Sequence, residues 1–262
     1  MHESFARRAR SSPKSLLFPA AFAIGLAACS PHLVVNVEAP ASAPPETVAL
    51  AKIVEIRELR HFEAAPKDPS TPSLAQAEML DDPAIVARAI GRRRDAYGAA
   101  AGDVLLPEGR TVIDLMRAVT TKALESDGYR VVDQSSPQYA QAAPLAVDIE
   151  QFWEWNGPSG LGVQMEFKGI VTMRSAELIG TEPAIASGYA RAYGAVLLTN
   201  NDRLDLFQRG MNDLAQNMSA KNQGACGGEN FGQLSSRASR ERMRRTRCGI
   251  FLIDNTPRFA VS

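Results

Sequence analysis

The sequence has few of the residues from which metal sites and disulfide frameworks are built, because only three of its 262 residues are cysteine and three are histidine. Its formal net charge is zero, so the chain as a whole is not a general binder of polyanions such as nucleic acid. No apolar run approaches the ~18 residues of a membrane-spanning helix. What is present is an ordinary globular composition, 45% hydrophobic and 22% charged, which can form a buried core.

The zero net charge conceals a division along the chain. Residues 221–262 carry eight basic and three acidic residues, whereas residues 29–220 carry 17 basic and 25 acidic residues. Residues 1–28 are basic again, with four basic residues against one acidic residue. An acidic middle therefore lies between two basic ends, and each end needs its own explanation.

The basic N-terminal end has the organisation of an export signal. Residues 1–14 are basic and polar, and residues 15–28 form an uncharged apolar run that ends in Leu26-Ala27-Ala28-Cys29. This ending resembles the bacterial lipobox, which implies cleavage between Ala28 and Cys29 and attachment of lipid to the Cys29 thiol. Several acyl chains on one residue anchor a protein stably, at about 0.8 kcal/mol per buried CH₂. The alternative is an ordinary secretory peptide with a chance cysteine.

A lipidated Cys29 also predicts a location. Because Ser30 rather than aspartate follows the cysteine, the resemblance to proteobacterial lipoproteins implies sorting to the outer membrane, facing the periplasm. In that oxidising compartment Cys226 and Cys248 are an even pair, and a disulfide and two free thiols are both open alternatives. The expected partners are the membrane, through the lipid anchor, and an envelope protein or lipid, but not nucleic acid.

The chain beyond the signal peptide divides into three regions. Residues 29–46 contain a Pro-rich spacer and are expected to be a tether. Residues 47–220 are expected to form a periplasmic domain. Residues 221–262 are rich in Gly and Arg and are expected to be a poorly ordered tail.

Alternating patterns predict a long hairpin in the domain. Apolar and polar residues alternate over 144–155 and again over 163–174, on either side of a turn at 156–160. Such alternation is typical of strands with one buried and one solvated face. Further strands are predicted over residues 33–37, 48–59, 129–132 and 184–198.

Helical spacing of apolar residues predicts two amphipathic helices. The first covers residues 107–127, and the second covers residues 202–218 with Asn200 or Asn201 as its cap. A short helix is predicted over residues 84–94. The fold class is therefore α+β, a mainly antiparallel sheet with the two amphipathic helices packed on one face.

Several local motifs recur in a known order: the lipobox, Ile90-Gly91, a helix followed by Gly128-Tyr129, and then the hairpin and the final helix. This order resembles the YajG-type bacterial lipoproteins and, more distantly, the lipoprotein auxiliaries of lipid-transport ABC systems. The resemblance covers roughly residues 26–218. It implies a membrane-tethered, periplasm-facing α+β domain and supplies no catalytic residues. Residues 60–98 and the tail depart from the family's pattern.

Two groups of residues are candidates for interaction. Trp153 and Trp155 end the first strand of the hairpin. Together with Phe152 they point to both faces of the strand, so at least one ring is expected to be exposed at the tip. Core packing or a clamp at the hairpin tip is the favoured interpretation, and an apolar docking patch is the functional alternative. Arg92, Arg93 and Arg94 are expected to be solvated charge or to pair with anionic headgroups and phosphates.

No convergent catalytic set stands out. His32 and His61 have no further His or Cys at metal-ligand spacing, and no Gly-x-Ser-x-Gly motif occurs. We therefore expect no metal and no cofactor, and we predict a lipid-anchored envelope protein with a non-catalytic binding or scaffold role. Two alternatives stay open: an auxiliary subunit of an envelope lipid transporter, and a periplasmic hydrolase that uses His61 with an acidic partner.

Overall fold

A computed structural model describes residues 32–41, 49–94, 99–160, 162–194 and 198–225. Several predicted features lie outside these residues: the signal peptide, cleavage after Ala28, lipidation of Cys29, the pair Cys226 and Cys248, and the tail beyond residue 225. No helix within them is long and apolar enough to cross a membrane.

The described residues form eight strands and three α-helices, which confirms the α+β class. The strands are β1 (His32–Val34), β2 (Ala49–Glu58), β3 (Ala89–Arg94), β4 (Ala100–Leu105), β5 (Tyr129–Val131), β6 (Ala143–Ser159), β7 (Gly162–Ser175) and β8 (Gly180–Gly194). The helices are α1 (Pro83–Val86), α2 (Val112–Ser126) and α3 (Asn200–Ala225), with single 3₁₀ turns at Ala77–Asp81 and Tyr139–Gln141.

The central strand is β6, and its two edges are used differently. Along one edge β6 pairs antiparallel with β7, which in turn pairs antiparallel with β8. The other edge is shared, because β2 pairs in parallel with residues 143–149 and β3 pairs in parallel with Glu154 and Trp155. The sheet therefore forks at β6 into one arm of β2 and β5 and a second arm of β3, β4 and β1.

The sheet is mixed, so the prediction of a mainly antiparallel sheet is wrong. Four strand pairs are parallel (β1–β4, β2–β5, β2–β6 and β3–β6) and three are antiparallel (β3–β4, β6–β7 and β7–β8). Parallel strands cannot be joined by a tight turn, so these pairs leave no hairpin signature in the sequence.

The side chain of Arg60 fills the fork between the two arms. The guanidinium is fully buried, and its Nη1 donates hydrogen bonds to the carbonyl oxygens of Ala89 at 2.5 Å and Phe152 at 3.1 Å. Nη2 donates to the carbonyl oxygen of Val86 at 3.1 Å. Nε and Nη2 also donate to the carboxylate of Glu58 at 2.6 and 3.0 Å. The guanidinium thus supplies donors at the point where strand pairing is interrupted.

Helices α2 and α3 pack on the same face of the sheet and share one core with it. Three rings lie near the centre of this core, with centroids 5.0 to 6.0 Å apart: Phe152 of β6, Phe167 of β7 and Phe207 of α3. All three are 0% exposed. The space between the helices and the sheet is filled here by aromatic side chains, as a close-packed interior requires.

Two glycines let α3 approach the sheet closely. A Cβ atom on Gly188 of β8 would overlap the carbonyl oxygen of Gly210 and would lie 2.6 Å from the backbone nitrogen of Leu214. A Cβ atom on Gly210 would overlap the ring of Phe167. The helix backbone therefore lies directly against the strand, which is a use of glycine inside regular elements.

Polar side chains of α3 close the free edge of β8. Three hydrogen bonds join the helix to alternate residues of the strand. Asn217 Nδ2 donates to Ser187 O at 2.7 Å, and Arg209 Nη1 donates to Arg191 O at 2.9 Å. Between them, Tyr189 N donates to Asp213 Oδ2 at 2.9 Å. The helix residues are four apart and form one ridge. Since the ridge satisfies these backbone groups, the edge of β8 is not open to a further strand.

Each long helix begins at a threonine. At α3, Thr199 Oγ1 accepts from the backbone N–H of Asp202 at 3.3 Å, and the Asp202 carboxylate accepts from the N–H of Thr199 at 2.7 Å. The prediction of Asn200 or Asn201 as the cap is therefore wrong. Thr111 and Asp114 make the same reciprocal capping box at α2.

The helix predicted over residues 84–94 is wrong beyond its first turn. α1 ends at Val86, and the chain enters β3 at Ala89. The apolar residues of the predicted helix are buried in two different clusters. Ile85 packs against the second apolar cluster of the fold, whereas Ile90 is part of the main core. These residues therefore have the spacing of one helix face although they belong to two successive elements, α1 and β3.

Candidate functional site

The face of the sheet opposite α2 and α3 is covered over part of its area. Residues 60–88, which we call the excursion, contain no strand, pack over this face and bury a second apolar cluster. The members of this cluster are Phe62, Leu74, Met79, Leu80, Ile85, Val86, Ala89, Leu105, Trp153 and Trp155. The part of the face formed by β8 remains exposed.

Trp153 and Trp155 lie inside this second cluster. They are 0% and 8% exposed, and the ring of Phe62 packs edge-on against Trp153 with 5.7 Å between centroids. The excursion of the same chain covers both rings, so their burial agrees with core packing and differs from the expectation of an exposed ring at the hairpin tip. Their burial gives them a packing role.

The three arginines of β3 are engaged within the chain to different degrees. Arg92 is 9% exposed, and its Nη1 donates to Ser73 Oγ at 2.9 Å. Arg93 is partly exposed, and its Nη2 donates to the carbonyl oxygen of Ala101 at 3.0 Å. Arg94 is also partly exposed. Arg92 is thus a buried structural cation, while contact of Arg93 and Arg94 with an anionic partner stays a prediction.

Each of the two described histidines lies near one carboxylate. His32 Nδ1 lies 3.4 Å from the carboxylate of buried Asp103, which also accepts from the backbone N–H of Ala75 at 2.8 Å. Burial raises the pKa of Asp103. The side chain of His61 is 83% exposed and 4.0 Å from Glu63, an ordinary surface pair. Within the described part of the chain, no group of three or more His, Cys, Asp or Glu could hold a metal.

A buried ion pair fastens the start of α3 to the sheet. Glu154 of β6 is 0% exposed and accepts from Nε of Arg203 at 3.2 Å. Burial raises the pKa of Glu154, and the charge of Arg203 opposes that rise. Gly91 of β3 leaves room for this carboxylate, because a Cβ atom there would lie 2.5 Å from its oxygen. The pair is used within the fold and does not face an open cleft.

On the opposite face, Asp148 of β6 ties three strands together. Arg57 of β2 donates to its two oxygens through Nε and Nη2, both at 2.7 Å. Arg174 of β7 donates through Nη2 at 2.8 Å and through Nη1 to the other oxygen. Two such forks on one carboxylate are strong, charge-assisted contacts. The hydrogen bonds from Arg174, and then those from Arg57, hold the pKa of Asp148 well below its usual range.

Replacing this carboxylate is expected to change the pH dependence of stability. Because the pKa of Asp148 is depressed in the fold, its contribution is present above the unfolded-state pKa of about 3.9 and is lost as the pH falls towards the folded-state value. We therefore expect Asp148→Asn to lower the urea midpoint clearly at pH 7 and much less at pH 2. Urea unfolding at pH 7, 5, 3 and 2 measures the difference.

The control for this prediction is Glu177→Gln, which removes one exposed carboxylate in the turn after β7. It is expected to leave the midpoint at pH 7 within experimental error. Equal losses for Asp148→Asn at pH 7 and at pH 2 would contradict the assigned role of the carboxylate.

The exposed part of this face forms what we call the tyrosine patch: Ile185, Tyr189, Arg191 and Tyr193, alternate residues of β8 on one side of the sheet. Ile185, Tyr189 and Tyr193 are 59%, 45% and 63% exposed. The Arg191 guanidinium lies 5.6 Å from the ring centre of Tyr189 and 5.7 Å from that of Tyr193. At these distances the cation is attracted to the faces of both rings. The patch is therefore an ordered surface of aromatic rings with a cation between them.

Glu166 of β7 holds the tyrosine patch in place from the neighbouring strand. It accepts hydrogen bonds from the Tyr189 hydroxyl and, at 2.9 Å, from Arg191 Nη2. Burial and then the Glu166 carboxylate raise the pKa of Tyr189 to about 12, so the hydroxyl stays protonated at neutral pH. Since Glu166 also balances the charge of Arg191, the patch is close to neutral.

A shallow cleft of about 420 Å³ adjoins the tyrosine patch. The cleft is lined by Ser70 of the excursion, Trp155 of β6, Lys168 of β7 and Tyr189 of β8. The sequence analysis singled out Trp155 but not Tyr189 or Tyr193. The available signal was the spacing of Tyr189 and Tyr193, which places both rings on one face of a strand.

Comparison with known proteins gives little further guidance. No protein-family model and no curated protein matches the chain. One solved structure, described as an uncharacterized protein, shows 10% sequence identity and a TM-score of 0.36, over 72% of this chain and 99% of that one.

Proposed function

We propose that this chain is a lipid-anchored protein of the bacterial envelope that binds a partner protein without catalysing a reaction. The lipobox-like sequence before Cys29 supports the anchor, and the residue after it supports placement in the outer membrane. The resemblance to YajG-type lipoproteins supports the same class of protein. The contact surface in this proposal is the tyrosine patch.

The observation that carries the proposal is the exposure of this patch on an otherwise well-packed sheet. Large apolar and aromatic side chains, exposed by about half, stand together on one strand face. Tyrosine and arginine are enriched among the residues that dominate binding energy at protein interfaces. The rings are also held in place by Glu166 and Arg191, so little conformational freedom is lost when a partner binds.

One experiment in the source bacterium tests both parts of the proposal. Tyr193 is replaced by a photo-crosslinking amino acid, and the cells are grown with labelled palmitate. We expect palmitate label on the protein, its loss in Cys29→Ser, and a discrete crosslinked product with an envelope protein. Arg191→Glu places a second negative charge beside Glu166 and is expected to lower the yield of that product at least about tenfold.

The matched control carries the same crosslinker at Glu177, which is exposed in the turn after β7. It is expected to give no such product. The same products from both positions, or none from Tyr193, would overturn the tyrosine patch as the contact surface. A wild-type protein without palmitate, recovered in the soluble fraction, would overturn the anchor instead.

The alternative of an auxiliary subunit of a lipid transporter has no specific observation in its favour. Such a subunit needs an apolar groove for acyl chains, and the space between α3 and the sheet is filled by Phe152, Phe167 and Phe207. The hydrolase alternative depends on His61, whose side chain is exposed on the surface.

A further inference from the structure

One edge of β2 is open beyond its short pairing with β5. β5 pairs with residues 49–51, and the last bond on this side is donated by the backbone of Val132 to the carbonyl oxygen of Ala51 at 2.9 Å. Beyond this point, β6 is the only one of the described strands that pairs with β2. Such an edge presents backbone donors and acceptors to which another strand can add.

Ile56 directs its backbone groups towards this open edge. The backbone N–H of Leu59 donates to the carbonyl oxygen of Ile149 in β6 at 2.9 Å, so the backbone of Leu59 faces β6. Because backbone groups alternate in direction along a strand, Arg57 also faces β6, whereas Ile56 and Glu58 face away from it. The Ile56 side chain is partly buried against the main core, on the face that carries α2 and α3.

Charged side chains flank Ile56 on the opposite face of β2. Glu55 and Arg57 lie two residues apart, and their side chains are 54% and 45% exposed. Arg57 donates to Asp148 through Nε and Nη2, and among the described residues no hydrogen bond uses its Nη1. The carboxylate of Glu55 lies 3.8 Å from Arg57 of the same strand, a loose ion pair. Each of the two side chains can therefore accept a further partner.

We propose that two copies of this chain pair through the open edge of β2, antiparallel to each other and about a two-fold axis at Ile56. In this register the two Ile56 residues exchange a pair of backbone hydrogen bonds. Glu55 of each copy lies opposite Arg57 of the other, so two ion pairs form across the axis. These opposite residues are a non-hydrogen-bonded pair, in which the side chains of antiparallel strands come closest.

The charges of β2 favour this register over its neighbours. A two-fold axis perpendicular to the sheet places one residue opposite its own copy and keeps every side chain on its face. An axis at Glu55, Arg57 or Glu58 would place like charges directly opposite each other, which is unfavourable. An axis at Ile56 instead brings together two partly buried apolar side chains, so the main cores of the two copies meet across the interface.

Pairing at β2 leaves the tyrosine patch of each copy exposed. β2 pairs with one edge of β6, whereas β8 is reached through β7 on the other edge. The two surfaces are therefore separate, and the pairing requires nothing of the tyrosine patch. A paired protein would present two tyrosine patches to its partners.

Disulfide trapping in the source bacterium tests the pairing and its register. The full chain carries Cys226→Ser and Cys248→Ser, and one new cysteine is introduced as Ile56→Cys. The Cα atoms of a hydrogen-bonded pair lie about 5.5 Å apart, a distance that a disulfide spans. After mild oxidation of the membranes, we expect Ile56→Cys to give a product of twice the mass of one chain, identified as this chain by mass spectrometry.

The matched control for the register is Val54→Cys in the same chain. Val54 is 48% exposed and so is open to random collision, but in the proposed register it lies opposite Glu58. The two Val54 residues are then offset by about 14 Å along the strands, too far for a disulfide. We expect a yield at least about tenfold below that of Ile56→Cys. No product from Ile56→Cys, or equal yields from the two positions, would overturn the proposal.

A charge reversal tests the ion pairs across the axis. Glu55→Arg, added to Ile56→Cys, places an arginine opposite Arg57 twice in each pair and is expected to lower the yield of the product at least about tenfold. The Glu55 side chain is half exposed, so the fold should tolerate the change, and unaltered resistance to proteolysis verifies this. Glu177→Arg reverses an exposed charge in the turn after β7 and is expected to leave the yield unchanged. A yield that Glu55→Arg does not lower would also overturn the proposal.

Discussion

Arg60→Met is expected to lower the free energy of unfolding by about 3–5 kcal/mol, the cost of removing one member of a buried charged network. Methionine approximates the length of the side chain but has no donors, so the carbonyl groups of Val86, Ala89 and Phe152 lose their hydrogen bonds inside the fold. Glu58 loses its bidentate partner as well. Equilibrium urea unfolding of the purified protein measures the loss.

Two further variants make this result specific to the fork. Arg60→Lys keeps the charge but not the planar arrangement of donors, so it is expected to recover only part of the lost stability. Arg209→Met removes a guanidinium that also bonds a carboxylate and a backbone carbonyl, but at a side chain 47% exposed. We expect it to cost about 1 kcal/mol or less. Equal losses for Arg60→Met and Arg209→Met would show that the fork does not depend on Arg60.

Gly188→Ala is expected to lower stability by about 3 kcal/mol, at the upper end of the usual cost of overpacking a core. The added methyl group would meet the backbone of Gly210 and Leu214, and backbone atoms cannot turn aside as a side chain can. The helix must therefore move away from β8. For a domain of this size the melting temperature is expected to fall by roughly 6–12 °C, measured by circular dichroism.

Gly157→Ala is the matched control, because Gly157 also lies in a long strand and a Cβ atom there would meet nothing within 4 Å. We expect it to leave the melting temperature within roughly 2 °C of the wild type. If Gly188→Ala melts at the same temperature as Gly157→Ala, the close approach of α3 to β8 does not limit stability.

The parts of the fold that the sequence predicted are those with a local signature. The hairpin of β6 and β7 follows from strict alternation, and α2 and α3 follow from apolar residues at helical spacing. The parallel pairs join strands that are far apart in the chain, so neither alternation nor turn residues could reveal them. The sheet was consequently predicted as mainly antiparallel.

A single bulge decides which face of the sheet each aromatic residue of β6 takes. The register of β6 against β7 shifts between Ile149 and Gln151, and such a shift exchanges the two faces of all later residues. Phe152 therefore joins the main core, while Trp153 and Trp155 face the excursion. No residue pattern in this stretch marks the bulge.

The candidate site was only partly accessible from the sequence. The proposed export signal and Cys29 were predicted from a linear motif, which needs no structure. The tyrosine patch depends on which strand face the excursion leaves exposed, and this is a property of tertiary packing. Arg60 was also missed, because an isolated arginine in an irregular segment gives no indication of the carbonyl groups that it will meet.

The ridge of α3 on β8 also limits how copies of the protein can assemble. Sheets that meet edge to edge form fibres only if each copy offers two usable edges. Among the described strands β8 is closed by Arg209, Asp213 and Asn217, and β1 at the far side has only three residues. The edge of β2 beyond Ala51, with which no described strand other than β6 pairs, is then the long one that remains. Two copies that joined there would leave no comparable edge among the described strands for a third, so growth would terminate at a pair.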